Sequence, residues 1–257
     1  MILYKVLALP VLYLIKRVCF KNKKPTPPGP PPICSISTGK VEGALSYSKS
    51  GRVFSSFNGI PFTKPPVGKL RFLRPEPAEK WEGTKKCTKS VEIMQGNIFR
   101  TGAPKQGQED GLVLNVNTPD LQPKELLPVM VFIHGGGFVS GSGARALYGA
   151  EHFMDKDIVL VNINYRLSVL GGLYLDGKLV PGNQGMRDQV LALQWVQENI
   201  KQFGGDKERV TIFGESAGGM SVMNHYLSPM SKGLFSAAIS MSGAPTSPYV
   251  GMNKHPR

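Results

Sequence analysis

Four short apolar runs rich in β-branched residues constrain the fold of this chain more than any other feature of its sequence. They are Pro128–Ile133, Ile158–Ile163, Val210–Phe213 and Ala237–Met241. Near-continuous apolar runs of this length are typical of strands buried on both faces, as in a parallel sheet. Between the second and third runs, apolar residues recur at steps of three and four from Gly185 to Phe203, which predicts a helix. Strand, helix and strand in that order form a βαβ crossover, so the sequence predicts an α/β fold.

The first 32 residues differ in composition from the rest of the chain. Val6–Ile15 is an uninterrupted apolar run, preceded by one lysine and followed by a basic cluster. It is short for a bilayer span of about 20 residues. A secretory signal would carry its positive charge before the run and a small-residue cleavage site after it. The observed order favours an uncleaved membrane anchor in residues 1–20, with the domain facing the cytosol. A signal peptide of a secreted protein and a buried terminal helix are the alternatives.

Residues 21–32 are basic and proline-rich, a composition that excludes a helix or a central strand. They are expected to form a semi-rigid linker. The folded domain is therefore expected over residues 33–257.

The net charge of +13, with 31 basic and 18 acidic residues, raises two classes of partner: nucleic acid and anionic membrane. The first 24 residues are basic and contain no acid, whereas the rest shows no stripe of Lys and Arg interleaved with aromatic residues. Nucleic acid is therefore not expected as a partner, and membrane association through residues 1–20 is. Nothing in the sequence indicates an oligomeric state.

The cysteines fit neither a zinc site nor a dense disulfide framework. There are three, Cys19, Cys34 and Cys87, and the chain contains no Asn-x-Ser/Thr acceptor for glycosylation. Both observations favour a reducing compartment, and no metal site is expected.

A G-x-S-x-G motif lies at Gly214–Gly218. It directly follows the apolar run Val210–Phe213 and directly precedes Ala217–Leu227, which can be helical. This is the strand–elbow–helix setting in which a serine is held on a strained turn and exposed to substrate. The alternative is a Ser/Gly turn at a helix start. The motif therefore predicts that Ser216 is a nucleophile.

A glycine run, His134–Phe138, follows the apolar run that ends at Ile133. Acyl transfer places negative charge on a carbonyl oxygen, and bare glycine backbone lets N–H donors approach it. Gly136 and Gly137, with the N–H of Ala217, are predicted to form an oxyanion hole, and His134 to support the loop by hydrogen bonding. The alternative, a flexible loop or phosphate cradle, lacks the Gly-Lys-Ser/Thr ending of a P-loop.

These motifs and several longer ones resemble the type B carboxylesterase/cholinesterase family, to which many arthropod esterases belong. The similarity runs from about Val41 to Pro248 and includes NGIPFTKPPVGKLRFLRPEP, QEDGLVLNV, PVMVFIHGGGF, VNINYRL, GNQGMRDQVLALQWVQENIKQFGGD and VTIFGESAGG. It implies an α/β-hydrolase fold, a mostly parallel sheet with helices on both faces. It also implies hydrolysis of small carboxylic esters through an acyl-enzyme, without a metal or organic cofactor.

The resemblance assigns roles to individual residues. Ser216 corresponds to the family nucleophile, and Gly136, Gly137 and Ala217 correspond to its oxyanion donors. Glu215 corresponds to a buried acid that helps to organise the site. Four further residues correspond to structural ion pairs: Arg71 with Glu109, and Arg166 with Asp188.

The sequence departs from the family pattern at a disulfide near the start of the domain. One expected cysteine position is Gly111, and the region expected to hold its partner, Val91–Gln95, contains no cysteine. Both partners are missing together, which again favours a cytosol-facing domain.

A second departure concerns the catalytic triad. In α/β-hydrolases the order along the chain is Ser, then Asp or Glu, then His. Here the chain ends 41 residues after Ser216, before either partner is expected. None of the four histidines, which are His134, His152, His225 and His255, is assigned as the general base. The domain is therefore expected to be truncated after the elbow and the strand that follows it.

Three rival hypotheses accompany this interpretation. The chain could be a non-catalytic, adhesion-type relative, against which the intact Ser216 argues. It could be a smaller lipase-like hydrolase, against which the long segment Asn58–Trp81 argues. It could also be an inactive truncated product or partial gene model.

Overall fold

The computed structural model describes residues 26–96 and 106–244. The anchor predicted in residues 1–20, and His255, lie outside these residues, and the anchor stays a prediction. In chain order the strands are β1 Ile33–Ile36, β2 Gly39–Glu42, β3 Ala44–Tyr47, β4 Val53–Pro61, β5 Thr84–Lys86, β6 Val113–Thr118, β7 Leu127–Ile133, β8 Val159–Ile163, β9 Tyr174–Leu175, β10 Val180–Pro181, β11 Gly205–Glu215 and β12 Ala237–Met241.

The described α-helices are α1 Ser168–Gly172, α2 Gln184–Asn199 and α3 Ala217–Leu227. Short 3₁₀ helices lie at Gly68–Leu70, Phe153–Asp155, Ile200–Phe203 and Pro229–Ser231. None of the helices in the described ranges is long and apolar enough to span a membrane.

The main sheet has seven strands within the described residues, in the order β12-β11-β7-β8-β6-β4-β3. The four predicted apolar runs form its parallel half, β7, β8, β11 and β12. Helix α2 connects β8 to β11, and α3 connects β11 to β12, as the βαβ pattern predicts.

The other half of the sheet, β3, β4 and β6, is antiparallel, and β6 also pairs antiparallel with β8. The sheet is therefore mixed, with three parallel and three antiparallel pairings among the described strands. The connection from β3 to β4 is a short turn, which joins antiparallel neighbours, whereas parallel neighbours need a longer crossover.

Two hydrophobic clusters cover the two faces of this sheet. On one face, Val131 and Val161 of the sheet pack in the same cluster as Leu193 and Val196 of α2 and Val222 of α3.

On the opposite face, Phe132, Leu160 and Phe213 pack with Met154 of the 3₁₀ helix Phe153–Asp155. Within residues 26–96 and 106–244, therefore, α2 and α3 share one face, and a 3₁₀ turn with its flanking loop covers the other.

The position of the missing disulfide is filled by packing. A side chain added at Gly111 would lie 3.0 Å from the Cα atom and 3.0 Å from the Cδ1 atom of Ile93. Ile93 is buried and belongs to the larger cluster. The two regions in which the resemblance implies a disulfide thus meet here through an apolar contact.

Candidate active site

Ser216 lies at the junction between the carboxyl end of β11 and the first turn of α3. Its backbone angles are φ 56° and ψ −121°, outside the regions that residues with a side chain normally adopt. The N–H of Ser216 donates to the carbonyl of Met241 at 2.9 Å, and the N–H of Met220 donates to the carbonyl of Ser216 at 2.9 Å. The predicted strained turn is therefore present, and backbone contacts on both sides hold it.

Close backbone approach explains one glycine of the motif. A side chain at Gly218 would collide with the carbonyl group of Ile133 at the end of β7. Only glycine lets the first turn of α3 lie directly against the neighbouring strand end. The elbow is thereby brought to the edge of the sheet where the glycine run begins.

The loop that follows β7 lies against the elbow. A Cβ atom built on Gly135 would be 3.2 Å from Cβ of Ser216 and 2.6 Å from the carbonyl oxygen of Glu215. Gly136 and Gly137 have positive φ angles of 110° and 62°, which favour glycine. The structure therefore brings together the two motifs that the sequence analysis singled out.

The N–H groups of Gly136 and Gly137 have no hydrogen-bond acceptor among the described residues. Ala217 is the first residue of α3, where the N–H has no acceptor within the helix. The Oγ atom of Ser216 likewise has no hydrogen-bond partner within residues 26–96 and 106–244. This end of the sheet combines an unpaired hydroxyl with unpaired N–H donors, a set that can serve nucleophilic attack on a carbonyl.

His134 is fully buried at the start of the loop. Its Nδ1 atom donates to the carbonyl of Gly135 at 2.8 Å, and its ring stacks on Tyr165 with the centroids 4.4 Å apart. The hydroxyl of Tyr165 donates to the carbonyl of His134 at 2.8 Å. Burial lowers the pKa of His134 to about 4. His134 is therefore neutral near pH 7 and in contact with the loop it was predicted to support.

Tyr165 and Met241 were not singled out from the sequence. Tyr165 follows β8 and Met241 ends β12, so both lie at the edge of the sheet that carries Ser216. Their position at the end of an apolar run, or within two residues of it, is the signal that could have identified them.

A sequence profile described as "Carboxylesterase family" matches residues 30–257. The chain belongs to the carboxylesterase family.

Individual relatives agree with this assignment. The chain is 51% identical over 214 residues to juvenile hormone esterase of Tribolium castaneum, covering 83% of this chain and 36% of that protein. It is 46% identical over 218 residues to esterase FE4 of Myzus persicae, covering 83% of this chain and 38% of that protein.

The crystal structure of juvenile hormone esterase from Manduca sexta, with OTFP covalently attached, superposes with a TM-score of 0.81 at 36% identity. It covers 88% of this chain and 43% of the Manduca chain. The predicted α/β-hydrolase fold is thereby confirmed. The carboxylesterase-family chain thus spans less than half the length of these relatives.

Glu215 is exposed, whereas the family resemblance implies a buried acid. It pairs in register with Met241 of β12, which is the outermost strand of the described sheet on that side. Ile239 and Met241, on the same face of β12, are also exposed, by 46% and 39%. No described strand lies beyond β12 on this side, so Glu215 is next to the open edge of the described sheet.

The two predicted ion pairs differ in burial. The pair between Arg71 Nε and Glu109 Oε2 measures 2.5 Å and is partly exposed. Arg166 and Asp188 are almost completely buried, and two guanidinium N–H groups donate to the carboxylate at 2.7 and 2.9 Å. Arg166 also donates to the carbonyls of Arg71 and Leu73. It therefore ties the segment Asn58–Trp81 to the start of α2.

None of the histidines within residues 26–96 and 106–244 is hydrogen-bonded to the Oγ atom of Ser216. His225 is buried, with Nδ1 2.8 Å from the hydroxyl of Ser231 and Nε2 2.9 Å from Oε1 of Gln189. Because Gln189 Oε1 accepts, Nε2 carries the proton and Nδ1 accepts from Ser231. Burial lowers the pKa of His225 to about 4. Both ring nitrogens are engaged, so His225 is part of the packing between α2 and α3.

His152 is exposed at the start of the 3₁₀ helix Phe153–Asp155. No group of three or more His, Cys, Asp or Glu side chains suited to a metal ion occurs within residues 26–96 and 106–244.

Proposed function

We propose that this chain is the nucleophile-bearing part of a carboxylic ester hydrolase that works through an acyl-enzyme on Ser216. One observation carries the proposal: Ser216, strained at φ 56°, is packed against a loop whose Gly136 and Gly137 N–H groups have no acceptor among the described residues. Strain of this kind persists only where the surrounding structure holds it, and it clusters at active sites.

In the proposed reaction, the Oγ atom of Ser216 attacks the carbonyl carbon of the ester while a base accepts its proton. The N–H groups of Gly136, Gly137 and Ala217 stabilise the negative oxygen of the tetrahedral intermediate. Collapse of the intermediate releases the alcohol and leaves an acyl-serine, which water then hydrolyses to the free acid. The covalent OTFP named for the Manduca structure supports covalent chemistry in this family.

The base for this reaction is proposed to come from outside the described residues. His225 is buried with hydrogen bonds on both ring nitrogens, and His134 is completely buried with its Nδ1 proton on the carbonyl of Gly135; burial lowers the pKa of each to about 4. The relatives are more than twice as long as the region they share with this chain. In one serine protease, removing the histidine lowers turnover by roughly a million-fold. We therefore expect the 257-residue chain alone to hydrolyse esters far below an enzymatic rate.

Hydrolysis of p-nitrophenyl acetate by the full chain and by Ser216→Ala tests this proposal. The two should be indistinguishable. A chimera that joins this chain to the part of Tribolium juvenile hormone esterase beyond the matched region should turn over the ester, and Ser216→Ala should abolish that activity.

Two results would contradict the proposal. Turnover by the full chain that Ser216→Ala abolishes would show that a base exists within this chain. A folded chimera without Ser216-dependent activity would favour the non-catalytic, partner-binding alternative.

A further inference from the structure

The side chain of Ser240 joins the two segments that flank the elbow. Its hydroxyl lies 3.0 Å from the carbonyl of Gly219 in the first turn of α3, and 2.8 Å from the carbonyl of Gly243 just beyond β12. The hydroxyl has one proton and two carbonyl acceptors, so it shares that proton between them.

The last residue of β12 and the segment that follows it also contact the backbone of Ser216. The carbonyl of Met241 accepts the N–H of Ser216, and a Cβ atom on Gly243 would lie 2.6 Å from the carbonyl oxygen of Ser216. Ser242, between them, has a positive φ of 52°, which is strained for a residue with a side chain. Two strained turns, at Ser216 and Ser242, therefore face each other, and the Ser240 hydroxyl joins the segments that carry them.

We propose that Ser240 is a positioning residue for the nucleophile. Its hydroxyl holds the first turn of α3 against the turn after β12, and so fixes the directions of the Ser216 hydroxyl and the Ala217 N–H. The contribution of this contact to catalysis depends on the proposed function, whereas the contact itself is part of the fold. Reacting groups must be held closely, because a shift of about 1 Å can reduce a rate by roughly a hundredfold.

Ser236 provides a matched control. Its hydroxyl donates to the carbonyl of Val210 at 3.1 Å, immediately before β12, at the end of the strand far from the elbow. Ser236→Ala and Ser240→Ala each remove one hydroxyl that bonds backbone carbonyls, and each acts on β12.

The test is amide hydrogen exchange at Ser216 and Met220 in the full chain, together with thermal melting. Ser240→Ala should raise the exchange rates of both amides about three- to tenfold, as expected for the loss of one hydrogen bond. Ser236→Ala should leave both exchange rates unchanged. It should lower the melting temperature by about as much as Ser240→Ala does. Ser240→Thr, which retains the hydroxyl, should restore slow exchange.

Unchanged exchange in Ser240→Ala, an equal rise in Ser236→Ala, or no rescue by Ser240→Thr would overturn the proposal. Exchange requires no reaction at Ser216. A fluorophosphonate probe that fails to label Ser216 in a completed, folded chimera would count against the proposed function and leave the exchange result to decide on Ser240.

Discussion

The elbow and the buried polar contacts of α2 are built in different ways. At the elbow, backbone meets backbone: Gly218 lies against Ile133, and Met241 accepts the N–H of Ser216. Along α2, side chains make the contacts: Asp188 is completely buried against Arg166, and Gln189 is completely buried between Ser221 and His225. The first region depends on the absence of side chains and the second on complete hydrogen bonding of those present.

This difference has consequences for substitution. Where backbone packs directly against backbone, as at Gly218, an added side chain collides. The elbow contains no buried charge, so a substitution there alters geometry first. A buried side-chain network is sensitive to the loss of a hydrogen-bond partner. Removing one partner leaves the other buried and unpaired, which lowers stability. Substitutions should therefore separate the two regions: those at the elbow change reactivity with moderate loss of stability, and those along α2 change stability.

Asp188→Asn should have the largest effect on stability. It removes the charge that compensates the buried guanidinium of Arg166, and breaking a buried pair in this way costs about 3–5 kcal/mol. Glu109→Gln is the matched control, because it makes the same chemical change in the partly exposed pair with Arg71 and should alter stability little. Urea unfolding of the three proteins measures this difference. Equal losses for the two variants would remove the distinction between the pairs.

Gly218→Ala should have the second largest effect on stability. The added methyl group collides with the carbonyl of Ile133, and overpacking of a fixed backbone costs about 1–3 kcal/mol. The elbow should shift, so Ser216-dependent activity of the chimera should disappear. Gly172→Ala is the control, since a Cβ atom there meets nothing within 4 Å. Activity that survives Gly218→Ala would mean that the elbow adapts, and that the close approach is not required.

The sequence predicted most of the parallel half of the sheet and little of the antiparallel half. The predicted run Ala237–Met241 has the same first and last residues as β12. β11 begins at Gly205, well before the predicted start at Val210. The prediction missed this first part because it carries charged, exposed side chains. β6 alternates apolar residues with buried asparagines, and Asn115 donates to the carbonyl of Gly143. Such a strand lacks a continuous apolar run.

The candidate site was partly predictable for a similar reason. Ser216 and the glycine run depend on local backbone requirements, which leave a local signature in sequence. The exposure of Glu215 depends on which elements cover the β12 edge, and the contact of Ser240 joins residues 21 positions apart. Neither is encoded in the neighbouring residues, so both required the structure.

His225→Gln should have the smallest effect, and one that depends on pH. The pKa of His225 is about 4 in the folded chain, below the ordinary value of 6.5. Between these two pH values the unfolded chain binds a proton that the folded chain does not, so the free energy of unfolding decreases as pH falls. For a shift of this size the loss at pH 5 is about 2 kcal/mol, with a limiting slope of about 1.4 kcal/mol per pH unit.

Glutamine does not titrate, so the His225→Gln variant should lose this contribution and have a shallower slope between pH 6.5 and 4. Near pH 7.5 it should lose about 1 kcal/mol, for the hydrogen bond it cannot replace. Tyr226→Gln, at the exposed neighbouring position, introduces the same side chain and should keep the parent slope. Urea unfolding at several pH values measures the slopes, and parallel curves for His225→Gln and the parent would show that His225 is not the buried, neutral residue that joins α2 to α3.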